Sequence, residues 1–160
     1  MQPHGNAWYS IYFDAAQGKF SDDTQAIESR DKIAAFIDEA VIAYNLDATN
    51  VSLLGFSQGT ILSYAVALSY PEKVKNVVAL SGYLNTDILA DNYTDKDFSN
   101  LNIYCSHGSV DQVIPVEWAR KAPVSLSELG IETSLQEFPV GHGVDPRNFY
   151  QFKEWLSTVI

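Results

Sequence analysis

The segment Gly55-Phe56-Ser57-Gln58-Gly59 constrains this chain more than any other. The apolar run Val51-Ser52-Leu53-Leu54 leads into it, and a helical-looking run, Thr60 to Leu68, leads out. Strand, Gly-x-Ser-x-Gly, helix is the setting in which a serine is lifted onto a sharp turn at the carboxyl end of a buried strand. A turn that tight forces strained backbone angles on Ser57. The glycines two before and two after it, Gly55 and Gly59, are expected to avoid clashes across the turn. The turn also brings the free N–H groups of a helix N-terminus beneath the serine hydroxyl.

The rest of the chain repeats the alternation. Residues 8–13 read as a short strand and Gly18 to Asp23 as a polar turn, with Ser21 or Asp22 as the N-cap of the next helix. Ile33, Phe36/Ile37, Ala40/Val41 and Tyr44 recur at helical spacing, predicting one amphipathic helix over roughly 24–44. Buried strands are predicted at 51–56, 76–80, 102–106 and 133–138. Between them lie helices over 58–68, ended by Pro71, and over 115–129, with Gly130 as its C-cap. Residues 84–100 read as a polar loop with one helical turn. Asp145-Pro146 are N-cap and first-turn residues for a last helix carrying Phe149, Phe152, Trp155, Leu156 and Val159 on its apolar face. Strands alternating with helices imply an α/β domain, a mostly parallel sheet of about four main strands with helices on both faces. No repeat or internal domain boundary is evident.

With 160 residues the chain is long enough for a single domain with a real core. Its net charge of -10 disfavours nucleic acid and anionic membrane surfaces as partners. No apolar run approaches the ~18 residues of a membrane span. The single cysteine, Cys105, sits in an apolar run and reads as a core thiol, which suits a reducing compartment. Met1 to Gly5 lacks the basic and apolar regions of a signal peptide, so a cytoplasmic location is expected. The three histidines show no metal-ligand spacing, and no metal is expected.

In an open parallel sheet, functional residues gather at the carboxyl ends of strands. Three such ends carry suitable chemistry: Ser57, the segment Ser106 to Asp111, and Val140-Gly141-His142-Gly143. A serine hydroxyl is a weak nucleophile unless a base takes its proton. His142, between two glycines that allow close approach, is the candidate base, and Asp111 the candidate acid that fixes its tautomer. The order serine, acid, histidine is that of α/β-hydrolases, and the backbone N–H of Gln58 would face the oxyanion. Asp87, Asp91 and Asp145 are the rival acids, but Asp145 is better explained as an N-cap. His107 reads as a structural residue bonded within its loop. Trp8, Tyr9 and Tyr83 are candidates for an acyl pocket; aromatic packing at the sheet rim is the competing reading.

Leu-Leu-Gly-Phe-Ser-Gln-Gly (53–59), Ala-Leu-Ser-Gly-Tyr (79–83), His-Gly-Ser-Val-Asp-Gln-Val-Ile-Pro (107–115) and Gly-His-Gly-Val (141–144) resemble the carboxylesterase/lysophospholipase family that includes the acyl-protein thioesterases. The resemblance runs from about Trp8 to the C-terminus. It implies hydrolysis of short- to medium-chain acyl esters without a cofactor, with Ser57, Asp111 and His142 on the family's triad positions. It also implies two alternatives: an acyl thioesterase or lysophospholipase, or an impaired remnant acting as a binding module. Family members carry earlier strands, one ending in a His-Gly-x-Gly loop that supplies a second oxyanion N–H. Nothing of this kind precedes Trp8, and His4-Gly5 stands too close to Trp8 to take its place. The chain is therefore expected to be a truncated α/β-hydrolase matching the C-terminal two-thirds of a member. One oxyanion donor would be missing, typically a loss of ~10²–10³ in turnover. The strand at 51–56 would lie at a sheet edge, and a homo-oligomer covering that edge is expected.

Overall fold

The computed structural model of the chain describes residues 7–14 and 18–160. The first elements are two short strands, β1 (Ile11–Asp14) and β2 (Gly18–Ser21), paired antiparallel with Ile11 opposite Ser21. Residues 18–21 of the polar turn expected over 18–23 are thus strand. Asp22 follows as the cap of the helix α1 (Asp23–Tyr44), accepting from Gln25 N–H at 3.0 Å. That bond satisfies one of the four free donors of the first turn. Asn45 ends α1 in the left-handed region (φ 50°).

A separate sheet holds β3 (Ser52–Phe56), β4 (Asn76–Leu80), β5 (Asn102–Gly108) and β6 (Leu135–Phe138). All three pairings are parallel, and the order across the sheet is β3-β4-β5-β6. β5 runs two residues beyond the expected Ser106, so His107 and Gly108 belong to the strand. β6 starts later than expected because Thr133 Oγ1 bonds the Ile103 carbonyl from outside the ladder.

The period-2 alternation of the strands divides the core into two layers. Val77, Ala79, Ile103 and Cys105 face α1 and the helix α2 (Gln58–Ser69), with Leu126 of α4 (Ala122–Glu128). Val78, Leu80 and Tyr104 face Phe152, Trp155 and Leu156 of the last helix, α5 (Pro146–Val159). Helices therefore cover both faces. Every residue of α2 from Thr60 to Ser69 is buried, because the helix lies between the sheet and α1. Phe36 and Tyr44, expected on the inner face of α1, are exposed.

The helix expected over 115–129 is two: α3 (Val116–Ala119) and α4. Pro123 explains the break. It has no N–H to offer the Ala119 carbonyl, and its ring would collide there. The loop over 84–100 holds two 3₁₀ turns, Thr86–Ile88 and Tyr93–Asp95, where one was expected. It is tied down by buried Ile88, whose carbonyl accepts from Arg30 at 2.7 Å.

β3 pairs with β4 alone, so it forms a sheet edge among the described residues. α5 does not reach it, and Leu54 and Phe56 remain exposed. A groove of about 640 Å³ runs beside it, lined by Ile33, Phe36, Ile37, Val41, Leu53 and Leu54.

Candidate active site

Ser57 stands between β3 and α2 with φ 56° and ψ -119°, a conformation that costs a non-glycine residue about 1–3 kcal/mol. Neighbouring bonds hold it there. Ser57 N–H donates to the Leu80 carbonyl at 3.0 Å. Thr60 Oγ1 lies 2.7 and 2.6 Å from the carbonyls of Gly55 and Leu80 and accepts from Leu80 N–H at 2.9 Å. Only one of the two flanking glycines is required by space. A Cβ at Gly55 would overlap the backbone of Gly59 and Thr60, whereas one at Gly59 would meet nothing.

The ends of β5 and β6 bring the other groups. Ser57 Oγ is 3.0 Å from His142 Nε2, and His142 Nδ1 is 2.7 Å from Asp111 Oδ2. A carboxylate only accepts, so Nδ1 carries the hydrogen and Nε2 presents its lone pair to the serine hydroxyl. Phe56 lies against the imidazole, ring centroids 4.9 Å apart. The glycines beside His142 are not what permits this approach. Cβ atoms at Gly141 or Gly143 would have room, but one at Gly108 would overlap the carbonyls of Val140 and Gly141. The loops of Asp111 and His142 meet across the bare backbone of Gly108. Ser109 N–H and Val110 N–H, bonded to the Phe138 and Val140 carbonyls, hold them together. From the β4 end, Ser81 Oγ donates to the Gly143 carbonyl at 3.2 Å.

Asp111 is almost fully buried. Burial is the largest influence on its carboxyl and would raise its pKa. The N–H of Ile114, the His142 ring and the N–H of Val113 together outweigh it and hold the pKa below the ordinary value. Asp111 is thus an anion in place to stabilise an imidazolium. Of the rival acids, Asp87 and Asp91 are exposed. Asp145 caps α5 through Arg147 N–H at 2.7 Å and pairs with the Arg147 guanidinium. Burial pushes the Cys105 thiol up, away from thiolate chemistry.

Two recesses meet at Ser57. One, of about 490 Å³, is walled by Tyr9, Ile61, Tyr83, Ile114 and Trp118, with Asp23, Asp87 and Lys121 among its polar groups. Tyr83 stacks edge-on to Trp118 at 5.2 Å. Burial, with the charges of Asp23 and Asp87, raises the Tyr83 hydroxyl pKa, so it remains a donor. The other, of about 410 Å³, contains Trp8, Phe56, Ser57 and Gln58. Tyr83 thus lines the first recess and Trp8 the second. The Gln58 side chain ties the Trp8-Tyr9 backbone in place, accepting from Trp8 N–H at 3.3 Å and donating to the Tyr9 carbonyl at 3.0 Å. Its backbone N–H opens α2 beside Ser57. His4 and Gly5 lie outside the described residues.

Sequence reasoning missed Thr60, Ser81 and Gly108. Each has a decisive partner twenty or more residues away in the chain: Leu80 for Thr60, Gly143 for Ser81, and Val140 and Gly141 for Gly108. Among the described residues no group of three His, Cys, Asp or Glu side chains converges as a metal site, and no helix is long and apolar enough to cross a membrane.

The profile of the Phospholipase/Carboxylesterase family matches residues 1–160. A protein named as a probable carboxylesterase from Oryza sativa subsp. japonica is 26% identical over 154 residues, which cover 95% of this chain and 58% of the relative. Acyl-protein thioesterase 1 of Emericella nidulans is 27% identical over 146 residues, covering 89% of this chain and 61% of the relative. The chain thus spans less than two-thirds of the length of these relatives. The crystal structure of Arabidopsis thaliana SOBER1 superposes with a TM-score of 0.76 at 23% identity, covering 96% of this chain and 73% of that one. The fold is that of the α/β-hydrolase esterases, and the chain belongs to the Phospholipase/Carboxylesterase family.

Proposed function

We propose that this protein is a serine carboxylesterase that hydrolyses short- to medium-chain acyl esters through an acyl-enzyme on Ser57. The observation that carries the reading is the unbroken relay of Ser57, His142 and Asp111, at 3.0 and 2.7 Å. Ser57 Oγ attacks the ester carbonyl while its proton passes to His142 Nε2. Asp111 stabilises the resulting imidazolium through Nδ1–H. The developing oxyanion accepts from the Gln58 N–H, whose place at the start of α2 adds the positive end of the helix dipole. His142 then returns the proton to the departing alkoxide. Water attacks the acyl-enzyme in the second half, with His142 again taking the proton and Ser57 restored. The recess of about 490 Å³, with Tyr83 on its wall, suits the acyl group. The Trp8 side suits the alcohol.

The test is covalent. A fluorophosphonate probe should label the wild type stoichiometrically and fail to label Ser57→Ala. An unlabelled wild type would sink the reading and leave the impaired remnant. The likeness to a protein named acyl-protein thioesterase favours a second reading with the same machinery, a long-chain acyl thioesterase. Higher kcat/KM on palmitoyl thioesters than on p-nitrophenyl butyrate would select it.

A further inference from the structure

His107 stands next to the end of β5 and is only 1% exposed. Its Nε2 lies 2.9 Å from the Ile114 carbonyl. A carbonyl only accepts, so Nε2 carries a hydrogen. The other ring nitrogen, Nδ1, is buried with no hydrogen-bond partner among the described residues. A leucine in this place would avoid leaving a polar atom unpaired, so packing alone does not account for an imidazole here. What the ring contributes is the Nε2–H.

The same nitrogen also stands close to a carboxylate. Asp111 Oδ2 is 3.3 Å from His107 Nε2, and it is the oxygen that takes the His142 Nδ1–H at 2.7 Å. Oδ1 is occupied from elsewhere, by the N–H groups of Val113 and Ile114 at 2.8 and 3.0 Å. The charged residue opposite His107 across the strand pair, Glu137, is engaged by Arg120 at 2.8 and 2.9 Å. Asp111 is therefore the carboxylate that the His107 ring stands against.

We infer that His107 is a positioning residue for the relay, its ring holding Asp111 Oδ2 in line with His142 by close contact at Nε2. It also bonds Ile114, the residue whose N–H caps Asp111, so one ring fixes both the carboxylate and the turn that carries it. It touches no reacting atom. The inference rests on the serine esterase reading of the site. It has a chemical consequence as well as a geometric one. The Nε2–H edge of the ring carries partial positive charge 3.3 Å from the oxygen that holds the imidazolium, so His107 also tempers how strongly Asp111 does so.

The experiment compares His107→Leu, which removes the donor, with His107→Gln, whose amide nitrogen reaches about as far as Nε2. Three quantities are read: kcat and KM on p-nitrophenyl butyrate, the pH profile of kcat/KM, and the rate of fluorophosphonate labelling. His107→Leu should lower kcat about 10- to 100-fold, the usual effect of removing a group that orients a site residue, with KM little changed. Its acidic limb should move to higher pH, because Asp111 then holds the imidazolium more strongly. His107→Gln should recover most of kcat and return the limb. If His107→Leu fails to fold, His107→Asn decides, since its shorter amide can neither bond the Ile114 carbonyl nor lie against Oδ2: it should lose kcat where the glutamine variant keeps it. Unchanged kcat and limb in the leucine variant would overturn the inference, as would equal losses in the glutamine and asparagine variants. A wild type that is not labelled defeats the esterase reading. A labelled wild type matched in rate by His107→Leu defeats only the role of His107.

Discussion

Gly55 and Gly59 flank the same serine, yet a methyl group would meet quite different surroundings at each. Gly55 faces the backbone of Gly59 and Thr60, which cannot move without opening the turn. Gly59→Ala places its methyl in open space on the first turn of α2, where alanine is the better helix former by up to about 1 kcal/mol. Gly55→Ala should therefore lower the urea midpoint by the equivalent of about 1–3 kcal/mol, the usual cost of overpacking, and abolish probe labelling. Gly59→Ala should leave the midpoint unchanged or raise it. Equal behaviour of the two would show that the elbow is looser than its geometry. Asp111 makes a second residue-level prediction. Its folded pKa lies below the ordinary 3.8, so it adds stability that is complete above that value and is lost as pH falls through the folded one. The gap in urea midpoint between wild type and Asp111→Asn should be constant from about pH 6 to 5 and close below about pH 4. The elbow motif and the triad candidates could be read from the chain because residue type and order carry that chemistry. The single-glycine requirement could not, since it depends on which atoms face Gly55.

At the level of elements, α2 is the piece the site depends on. Its N-terminus underlies Ser57 and its body is enclosed by α1 and the sheet, with Leu62 only 1% exposed. Leu62→Ala should cost about 2–5 kcal/mol in chemical denaturation, because a helix held on two sides cannot collapse onto the cavity. A cost under about 1 kcal/mol would mean that α1 closes the gap. The main strands and long helices were legible because their periodicity is local: α5 and α2 differ in pattern as a half-buried and a buried helix should. Three element-level features were not. β2 has no alternation of its own and exists through pairing with β1. The helix over 115–129 carries a helical pattern throughout, but Pro123 breaks it. β5 extends to Gly108 because β6 pairs with it that far.

For the whole molecule, the open side of β3 is the feature with the largest consequence. Exposed Leu54 and Phe56 and the groove beside α1 put apolar surface next to strand backbone that has no ladder partner among the described residues. We expect a second copy to cover it, giving a species heavier than 17.8 kDa in sedimentation at micromolar concentration. With a net charge of -10 per chain the copies repel, so added salt should strengthen the association, and Leu54→Lys should weaken it. A monomer that persists at high salt would remove this expectation. The amino-acid sequence was sufficient for the α/β architecture, the strained serine and the aspartate and histidine that the structure sets beside it, because turn chemistry, periodicity and chain order are local properties. Long-range approach decided the rest: the meeting of two loops at Gly108, the bond of buried His107 to Ile114 beside Asp111, and the exposure of Phe36 on a helix whose pattern would bury it. Each of these depends on which distant backbone comes into van der Waals range, and no stretch of sequence encodes that alone.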